Sequence, residues 1–340
     1  MKKYKVGIIG CGFIFDRHIE AIQANCESYK LVAICDIDKK KTDIRAKEYN
    51  VKGFYDYEEM LKIMKNEMNF VVIATPNYYH YEQAINSLKS GNDILVEKPV
   101  DFTHSRIQKI IDTARKFNKN AYGVLQVRYN PTVQMLKDGI EKNIIGELRS
   151  ISLIQRWQRP STYFDSWRTD ENIGGRILYE VGIHYLDILQ YIFGLPKALS
   201  TVTFNNKHKH VNFEDTIFSI LKFPNGASGS VEVTIAAEPS NLECSISVMG
   251  SEGYIKIGGR ALDKVEISKF SNSLVESAWN RLQSGYGDSI PPNSYGTHLG
   301  SCPNHPYLYS EITKGKGIFL SDTLNSVKLI EDIYKVEISK

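Results

Sequence analysis

Short apolar runs alternate with amphipathic stretches over the first third of the chain. A short continuous apolar run favours a buried strand, whereas apolar residues three and four positions apart are typical of a helix. The predicted strands are Tyr4–Ile9, Lys30–Cys35, Phe70–Ala74, Ile94–Glu97 and Tyr122–Gln126. The predicted helices are Arg17–Asn25, Lys40–Tyr49, Tyr79–Ser90 and Ser105–Phe117. Strands that alternate with helices predict an α/β domain with a parallel, doubly wound sheet, which we place at residues 1–124.

The pattern changes after about residue 124. Two helices are predicted at Pro131–Lys142 and Leu178–Phe193, and from there strands follow one another directly. They are Leu199–Asn205, Thr216–Phe223, Ser228–Ala236, Leu242–Val248, Tyr254–Ile257 and Asp263–Ser268, with a closing helix at Thr323–Lys335. Consecutive strands without crossover helices indicate an antiparallel sheet. We therefore expect an α+β domain at 125–340 with a large, mostly antiparallel, open-faced sheet.

Apolar and polar residues alternate within two of these strands, and this pattern suggests that the sheet pairs with a second copy of the chain. One face collects apolar or small residues: Ile217, Ser219, Leu221, Val231, Val233 and Ile235. We expect this face to be exposed on a single subunit, where an apolar surface marks an interface. The interpretation is a homodimer or homotetramer that forms through the C-terminal sheet.

Composition narrows the function. Forty-two Lys and Arg against 39 Asp and Glu leave a formal net charge of +3, which gives no large basic field for nucleic acid or anionic lipid. No apolar run approaches the roughly 18 residues of a spanning helix, so no membrane partner is expected. The five cysteines form no CxxC pair, which argues against a disulfide framework or a zinc site and favours the cytoplasm.

A glycine turn follows the first predicted strand. Gly10-Cys11-Gly12 lies between that strand and a helix, and Asp36 ends the next strand. Glycines let a backbone approach a pyrophosphate, the helix N-terminus offers N–H groups, and the acid accepts hydrogen bonds from ribose. This is the dinucleotide arrangement of a Rossmann domain, although Phe15 stands where a third Gly or Ala is usual. Asp36 favours NAD over NADP, while the lysines at 39–41 offer positive charge nearby.

Three further motifs carry a family resemblance. Ala74-Thr75-Pro76-Asn77 and Glu97-Lys98-Pro99 lie at strand ends, and Gly174-Gly175 precedes Glu180-x-Gly182-x-His184-x-x-Asp187. In combination they resemble the glucose-fructose oxidoreductase, inositol dehydrogenase and MocA (Gfo/Idh/MocA) family over nearly the whole chain. The resemblance implies an NAD-dependent dehydrogenase that acts on a CH–OH group.

The catalytic candidates are Lys98, His184 and Glu180. Oxidation of an alcohol needs a positioned proton acceptor, and Lys98 at a carboxyl strand end lies where doubly wound sheets bind ligands. Glu180, His184 and Asp187 are spaced i, i+4 and i+7, so they share one helix face. His184 is a base with an orienting acid on this reading. The alternatives are a solvated lysine, a buried histidine satisfied by its neighbours, and a metal site on this face.

The resemblance also implies residues that bind the two ligands. Those for NAD are Gly10, Gly12, Phe13, Ile14, Asp36, Thr75, Pro76, Asn77, His80, Glu97, Lys98, Gln126, Trp167 and Arg168. Those for the substrate are Lys98, Arg128, Arg156, Arg159, Tyr163, His184 and Asp187.

Arginines and aromatic residues are dense at 155–176. Guanidinium groups suit phosphates and aromatic faces suit sugars or bases, so this segment is a candidate clamp for a nucleotide diphosphate sugar. The alternative is that Asp165, Asp170 and Glu171 neutralise these arginines and that the aromatic residues belong to the core. Within the family, four motifs look most like bacterial dehydrogenases that oxidise C3 of UDP-N-acetylglucosamine or its uronic acid. They are Thr75-Pro76-Asn77-Tyr78-x-His80-Tyr81, Leu125-Gln126-x-Arg128, Tyr163-x-x-Ser166-Trp167 and Gly182-Ile183-His184. A free polyol or inositol dehydrogenase is the second hypothesis, and a dinucleotide-binding sensor without turnover is the third.

Overall fold

A computed structural model describes residues 3–259, 261–286 and 305–338, and the chain divides into two compact units. Unit 1 consists of Met1–Leu125, Asn172–Gly174 and His305–Leu324. Unit 2 consists of Gln126–Glu171, Gly175–Asn304 and Asn325–Lys340. The first boundary lies next to the predicted one. Two later segments return to unit 1, which the hydrophobic pattern did not predict.

Unit 1 is built on a six-stranded sheet with the order β3-β2-β1-β4-β5-β6. Its strands are β1 Tyr4–Ile9, β2 Tyr29–Cys35, β3 Lys52–Phe54, β4 Phe70–Ile73, β5 Asp93–Val96 and β6 Ala121–Gly123. All five pairings are parallel, which confirms the doubly wound sheet. The connecting helices are α1 Phe15–Ala24, α2 Lys39–Tyr49, α3 Tyr57–Ile63, α4 His80–Lys89 and α5 His104–Lys116. Sequence reasoning missed β3 and α3, because both are too short to show a period.

The central strands of this sheet are apolar on both faces. Every residue of β4 and β5 is buried, as expected for parallel strands covered by helices on either side. Helix α10, His305–Thr313, adds to this core from the far end of the chain. Its Tyr309 ring packs against the Tyr29 ring at an angle of 60°, and the Tyr29 hydroxyl donates to the Tyr309 carbonyl at 3.0 Å. These buried aromatic contacts explain why 305–324 belongs to unit 1.

Unit 2 is built on a seven-stranded sheet with the order β13-β12-β11-β7-β10-β9-β8. Its strands are β7 Leu148–Arg156, β8 Lys197–Phe204, β9 Thr216–Lys222, β10 Ser228–Thr234, β11 Glu243–Gly250, β12 Gly253–Gly258 and β13 Lys264–Phe270. Only the β7–β10 pairing is parallel, so the sheet is mostly antiparallel, as predicted. Strand β7 occupies the centre and was missed, because its sequence mixes serine and arginine with its apolar residues.

The remaining helices are α6 Pro131–Glu141, α7 Glu171–Gly174, α8 Ile183–Phe193, α9 Ser273–Gly285 and α11 Leu320–Lys335. Helix α9 lies in segment 271–306, whose sequence shows no clear hydrophobic period, and residues 287–304 of that segment lie outside the described part of the chain. No helix in the described ranges is long and apolar enough to cross a lipid bilayer.

The apolar face predicted to be exposed on this sheet is buried within unit 2. Ile217, Leu221 and Val233 face inward, where Gln155 of β7 donates to the Val181 carbonyl at the start of the α8 segment. That part of the expectation is wrong, because α8 covers this face. The open face presents the alternate residues of the same strands, including Phe218 at 43% and Ile220 at 55% exposure. A homodimer or homotetramer through the sheet stays a prediction.

Candidate active site

The glycine turn of unit 1 has the geometry that a dinucleotide phosphate needs. Gly10 has a φ of +103°, and a Cβ there would lie 2.4 Å from the Ala74 carbonyl oxygen, so this position requires glycine. A Cβ on Gly12 would meet nothing within 4 Å, so the space before α1 is open. Ile14 at the helix N-cap makes no side-chain cap bond. The turn therefore leaves N–H groups and room for a pyrophosphate, which fits NAD.

Phe15 begins α1 and is fully buried, so the departure from the glycine pattern is accommodated inside the unit. Its ring packs against Tyr49, with the Arg45 guanidinium 5.3 Å from the ring centroid. Phe13, in contrast, is 73% exposed beside the turn. The turn thus buries one aromatic side chain and presents the other.

Asp36 follows β2 and its carboxylate is fixed by the backbone. Oδ2 accepts from the Cys11 N–H at 2.8 Å, and Oδ1 accepts from the Asp38 N–H at 2.9 Å. Asp38 caps α2 by accepting from the Lys41 N–H, and its carboxylate lies 3.6 Å from Lys41 Nζ. An oriented Asp36 suits the two ribose hydroxyls of NAD, and the charge of Lys41 is partly offset by Asp38.

The loop after β4 is tied to the loop after β5 by His80. Its Nδ1 lies 2.8 Å from the Pro99 carbonyl oxygen and its Nε2 lies 2.8 Å from the Thr75 carbonyl oxygen. Burial lowers the pKa of His80, although both carbonyl contacts favour the protonated ring. The Thr75 hydroxyl donates to Gln83, and the Asn77 amide donates to the Gly174 carbonyl at 2.6 Å. These three side chains shape the cofactor loops by binding protein atoms, and Pro76 lies among them.

Lys98 follows β5 and is half-buried between two buried neighbours, Glu97 and Pro99. The Lys98–Pro99 peptide bond is cis. The Glu97 carboxylate, 7% exposed, accepts from the Lys98 N–H at 3.2 Å and contacts two histidines, His18 and His305. The Glu97 side chain thus contacts protein groups inside unit 1, and binding of NAD by Glu97 stays a prediction.

In unit 2 the predicted helix 178–193 begins with one turn of π-helix, Leu178–Gly182, before α8. Such turns often occur at functional sites. Residues 183 and 185–190 are buried, whereas His184 is partly exposed. The fold thus brings His184 to an accessible position on a helix that is otherwise core, which suits a base.

The two carboxylates predicted to flank His184 each bind an arginine. Glu180 Oε1 accepts from Arg168 Nε at 2.6 Å and from the Tyr163 hydroxyl at 2.7 Å. Burial first, and then the Glu180 charge, raise the pKa of Tyr163. The π turn interrupts the regular α-helical period on which the shared face of Glu180 and His184 was predicted, and the orienting role of Glu180 stays a prediction.

Asp187 forms a buried bidentate ion pair with Arg128. Arg128 Nε donates to Oδ2 at 2.7 Å and Nη2 donates to Oδ1 at 2.6 Å. Gln190 and Ser326 also donate to Oδ1, at 3.0 and 2.6 Å. These contacts make Arg128 and Asp187 part of the packing around α8, although sequence reasoning had assigned both to the substrate. Gln126 is buried at the start of the 3-10 turn Gln126–Tyr129.

The arginines of 155–176 separate into two groups. Arg156 ends β7 on the face opposite Gln155, where Glu232 and Glu243 bind it, so the fold does not bring it to the α8 side. Arg176 binds Glu214 and Glu337, and Arg168 binds Glu180. Of the four, Arg159 alone has no carboxylate partner among the described residues. Its guanidinium lies 4.7 Å from the Trp157 ring and 5.4 Å from the Tyr163 ring.

Arg168 also stacks on aromatic rings, 4.3 Å from Trp167 and 4.9 Å from Tyr163. Three of the four arginines are therefore neutralised by carboxylates, but by glutamates outside the segment, whereas the predicted partners were Asp165, Asp170 and Glu171. Binding of NAD by Gln126, Trp167 and Arg168 stays a prediction.

The described cysteines, Cys11, Cys26, Cys35 and Cys244, are all free thiols.

The sequence analysis missed a buried cluster around Glu97, which consists of His18, His305 and Tyr309. Nothing local in the sequence marks them, because the contact joins residues nearly three hundred positions apart.

Comparison with known proteins agrees with this geometry. Residues 4–124 match the model of the Gfo/Idh/MocA oxidoreductase family with an NAD-binding Rossmann fold, and residues 133–256 match the family's C-terminal domain. A levoglucosan dehydrogenase of Pseudarthrobacter phenanthrenivorans is 25% identical, over 92% of this chain and 86% of its own. The D-glucoside 3-dehydrogenase of Escherichia coli is 26% identical, over 68% of this chain and 70% of its own.

Among solved structures, the WlbA dehydrogenase of Bordetella pertussis, in complex with NADH and UDP-GlcNAcA, is 26% identical. It superimposes with a TM-score of 0.85 over 98% of this chain and 95% of its own. The dehydrogenase class and the NAD cofactor expected from the sequence are confirmed. The chain belongs to the Gfo/Idh/MocA family and is an NAD-dependent, sugar-type dehydrogenase.

Proposed function

We propose that this protein oxidises the C3 hydroxyl of a nucleotide-linked sugar such as UDP-N-acetylglucosamine or its uronic acid. The observation that carries the proposal is the similarity to the WlbA structure over 98% of the chain, since that protein was solved with NADH and UDP-GlcNAcA. Position 3 of a sugar is named in another relative, the D-glucoside 3-dehydrogenase of Escherichia coli. A cytoplasmic location of the present protein stays a prediction.

Oxidation of a secondary alcohol removes a hydride from carbon and a proton from oxygen, and leaves a ketone. NAD, when bound, accepts the hydride. Lys98 is the candidate to bind the reacting oxygen and take its proton, because it is half-buried at the carboxyl end of β5. His184 is a second candidate for the base, because it is the accessible residue of a buried helix segment.

Arg159 supports a nucleotide substrate. Among the described residues Arg159 has no carboxylate partner, so its guanidinium can donate to a diphosphate. The neighbouring rings of Trp157 and Tyr163 offer aromatic faces for a sugar or a base. Remote binding of this kind orients one hydroxyl among several.

The test compares kcat/KM for UDP-N-acetylglucosamine, its uronic acid, levoglucosan and myo-inositol at saturating NAD. We expect a UDP-sugar to be preferred, and deuterium at C3 to slow the reaction. Arg159→Met should lower kcat/KM for the UDP-sugar by about tenfold or more, the value of one lost charge-assisted contact. Arg156→Met is the matched control, since it alters the same segment on the opposite sheet face.

A preference for levoglucosan would favour the second candidate, a free-sugar dehydrogenase, whose supporting observation is that three arginines of the segment are neutralised by carboxylates. An equal effect of both arginine substitutions would also contradict the diphosphate role.

A further inference from the structure

A buried cluster in unit 1 joins the far end of the chain to Glu97. Glu97 Oε1 accepts from His305 Nε2 at 3.1 Å and lies 3.2 Å from His18 Nε2. His18 Nδ1 lies 2.9 Å from the Tyr309 hydroxyl. All four residues are buried, and two of them, His305 and Tyr309, occupy positions i and i+4 of α10.

The direction of each hydrogen bond follows from the protonation states. Burial raises the pKa of Tyr309 well above its usual range, so its hydroxyl stays protonated and donates to His18 Nδ1. Burial lowers the pKa of His18, so the neutral ring carries its proton on Nε2, which faces Glu97. Burial alone would raise the pKa of Glu97, but the contacts from His18 and His305 outweigh it and hold that pKa well below its usual range.

The second carboxylate oxygen reaches the catalytic candidate. Glu97 Oε2 accepts from the Lys98 backbone N–H at 3.2 Å. The carboxylate therefore accepts a hydrogen bond from His305 at Oε1, contacts His18 at the same oxygen, and binds the Lys98 backbone through Oε2. Because both carboxylate oxygens of Glu97 are in contact, this side chain has little rotational freedom. The backbone of Lys98, which binds Oε2, is restrained with it.

We propose that His18, His305 and Tyr309 are positioning residues for Lys98, which act through the Glu97 carboxylate. The inference rests on the role of Lys98 proposed above. Misplacement of a proton acceptor by a fraction of an ångström lowers turnover without removing the cofactor site, because the reacting atoms must be aligned.

A metal ion is the alternative occupant of this cluster. One ligand atom from each of His18, Glu97 and His305 lies within 4.8 Å of the others. Hydrogen bonding accounts for the same arrangement, since both oxygens of Glu97 already have donors. We therefore assign a hydrogen-bonded clamp and make metal content an outcome of the test.

The sharpest variant is Tyr309→Phe, with Tyr29→Phe as its matched control. Both changes remove one buried hydroxyl from the contact between α10 and the sheet, but the Tyr29 hydroxyl donates to the Tyr309 carbonyl and touches neither histidine. We expect Tyr309→Phe to lower kcat by about three- to tenfold, the value of one hydrogen bond, with KM for NAD nearly unchanged. Tyr29→Phe should lose similar thermal stability but keep kcat. His305→Gln, whose amide can still donate, should keep more activity than His305→Ala.

Activity is measured with the substrate that the wild type oxidises fastest among the four sugars and polyols compared under Proposed function. Hydrogen–deuterium exchange over residues 94–102 gives a readout that needs no substrate, and we expect faster exchange in Tyr309→Phe and His305→Ala than in Tyr29→Phe. If the wild type oxidises no sugar, the proposed function fails while exchange still tests the clamp. Equal exchange and equal kcat in the two tyrosine variants would refute it. A stoichiometric metal that is lost in His305→Ala would also overturn it.

Discussion

Replacement of Arg128 by methionine should destabilise the protein through the charge that it leaves behind. The side chains of Asp187 and Arg128 are 1% and 8% exposed, and their bidentate pair has distances of 2.7 and 2.6 Å. In Arg128→Met the Asp187 carboxylate keeps, among the described residues, the donors of Gln190 and Ser326. Breaking one side of a buried ion pair costs about 3–5 kcal/mol. Asp187→Leu should cost a similar amount, since it leaves a buried guanidinium.

The double variant Arg128→Met/Asp187→Leu separates this cost from lost packing. Replacement of a whole buried ion pair by apolar residues is often nearly neutral, but the Ser326 and Gln190 donors lose their acceptor at about 1–3 kcal/mol. We therefore expect the double variant to be about 1–3 kcal/mol less stable than wild type, well short of the sum of the single changes.

Differential scanning calorimetry is the assay, because a change of 1 kcal/mol shifts Tm by about 2–4 °C for a domain of 150–250 residues. Each single variant should lose about 6–20 °C, and the double variant should recover more than half of the larger loss. The structural reasoning is refuted if Arg128→Met melts within about 2 °C of wild type yet raises KM for the sugar. That result would restore the substrate-binding role predicted from the sequence.

Three further predictions follow from other contacts. Gly10→Ala should weaken NAD binding by at least about tenfold in calorimetric titration, because a positive φ and the Ala74 carbonyl 2.4 Å from the new Cβ force the turn to move. Asp36→Ser should raise the NADP-to-NAD ratio of kcat/KM by about tenfold, and an unchanged ratio would contradict the ribose role. Burial raises the pKa of Asp215, but three backbone N–H groups at 206–208 outweigh it and leave that pKa lowered. Its stabilisation is thus full above an unfolded pKa of about 4 and lost as pH falls through the folded pKa, so acid unfolding of Asp215→Asn should depend less on pH below about 4.

Local patterns predicted the longer elements of unit 1. Continuous apolar runs mark its strands, a period of 3.6 marks its helices, and a glycine turn with Asp36 predicts the NAD site, since each depends on neighbours in sequence. In unit 2 local patterns did not predict the contacts of Arg156. Its partner Glu232 lies 76 residues away, and the parallel pairing of β7 with β10 brings the two together. Because β7 was missed, its partners could not be predicted.

The face shared by Glu180, His184 and Asp187 was predicted from a regular helix. An i, i+4, i+7 pattern assumes 3.6 residues per turn, whereas the chain forms a π turn at Leu178–Gly182. The bonds from Tyr163 and Arg168 to Glu180 could not be predicted, because they depend on how the segment before the helix folds back on it. The catalytic role of His184 stays a prediction.

Because residues 305–324 belong to unit 1, the NAD-binding unit cannot be exchanged between relatives as a single N-terminal segment. A chimera joined once, after Leu125, would combine one parent's Tyr29, His18 and Glu97 with another parent's α10. The transplanted module would then have to accept a foreign helix in its own aromatic core. A graft that also carries 172–174 and 305–324 keeps those contacts within one parent. The cofactor module that can be exchanged is therefore encoded by separate stretches of the gene.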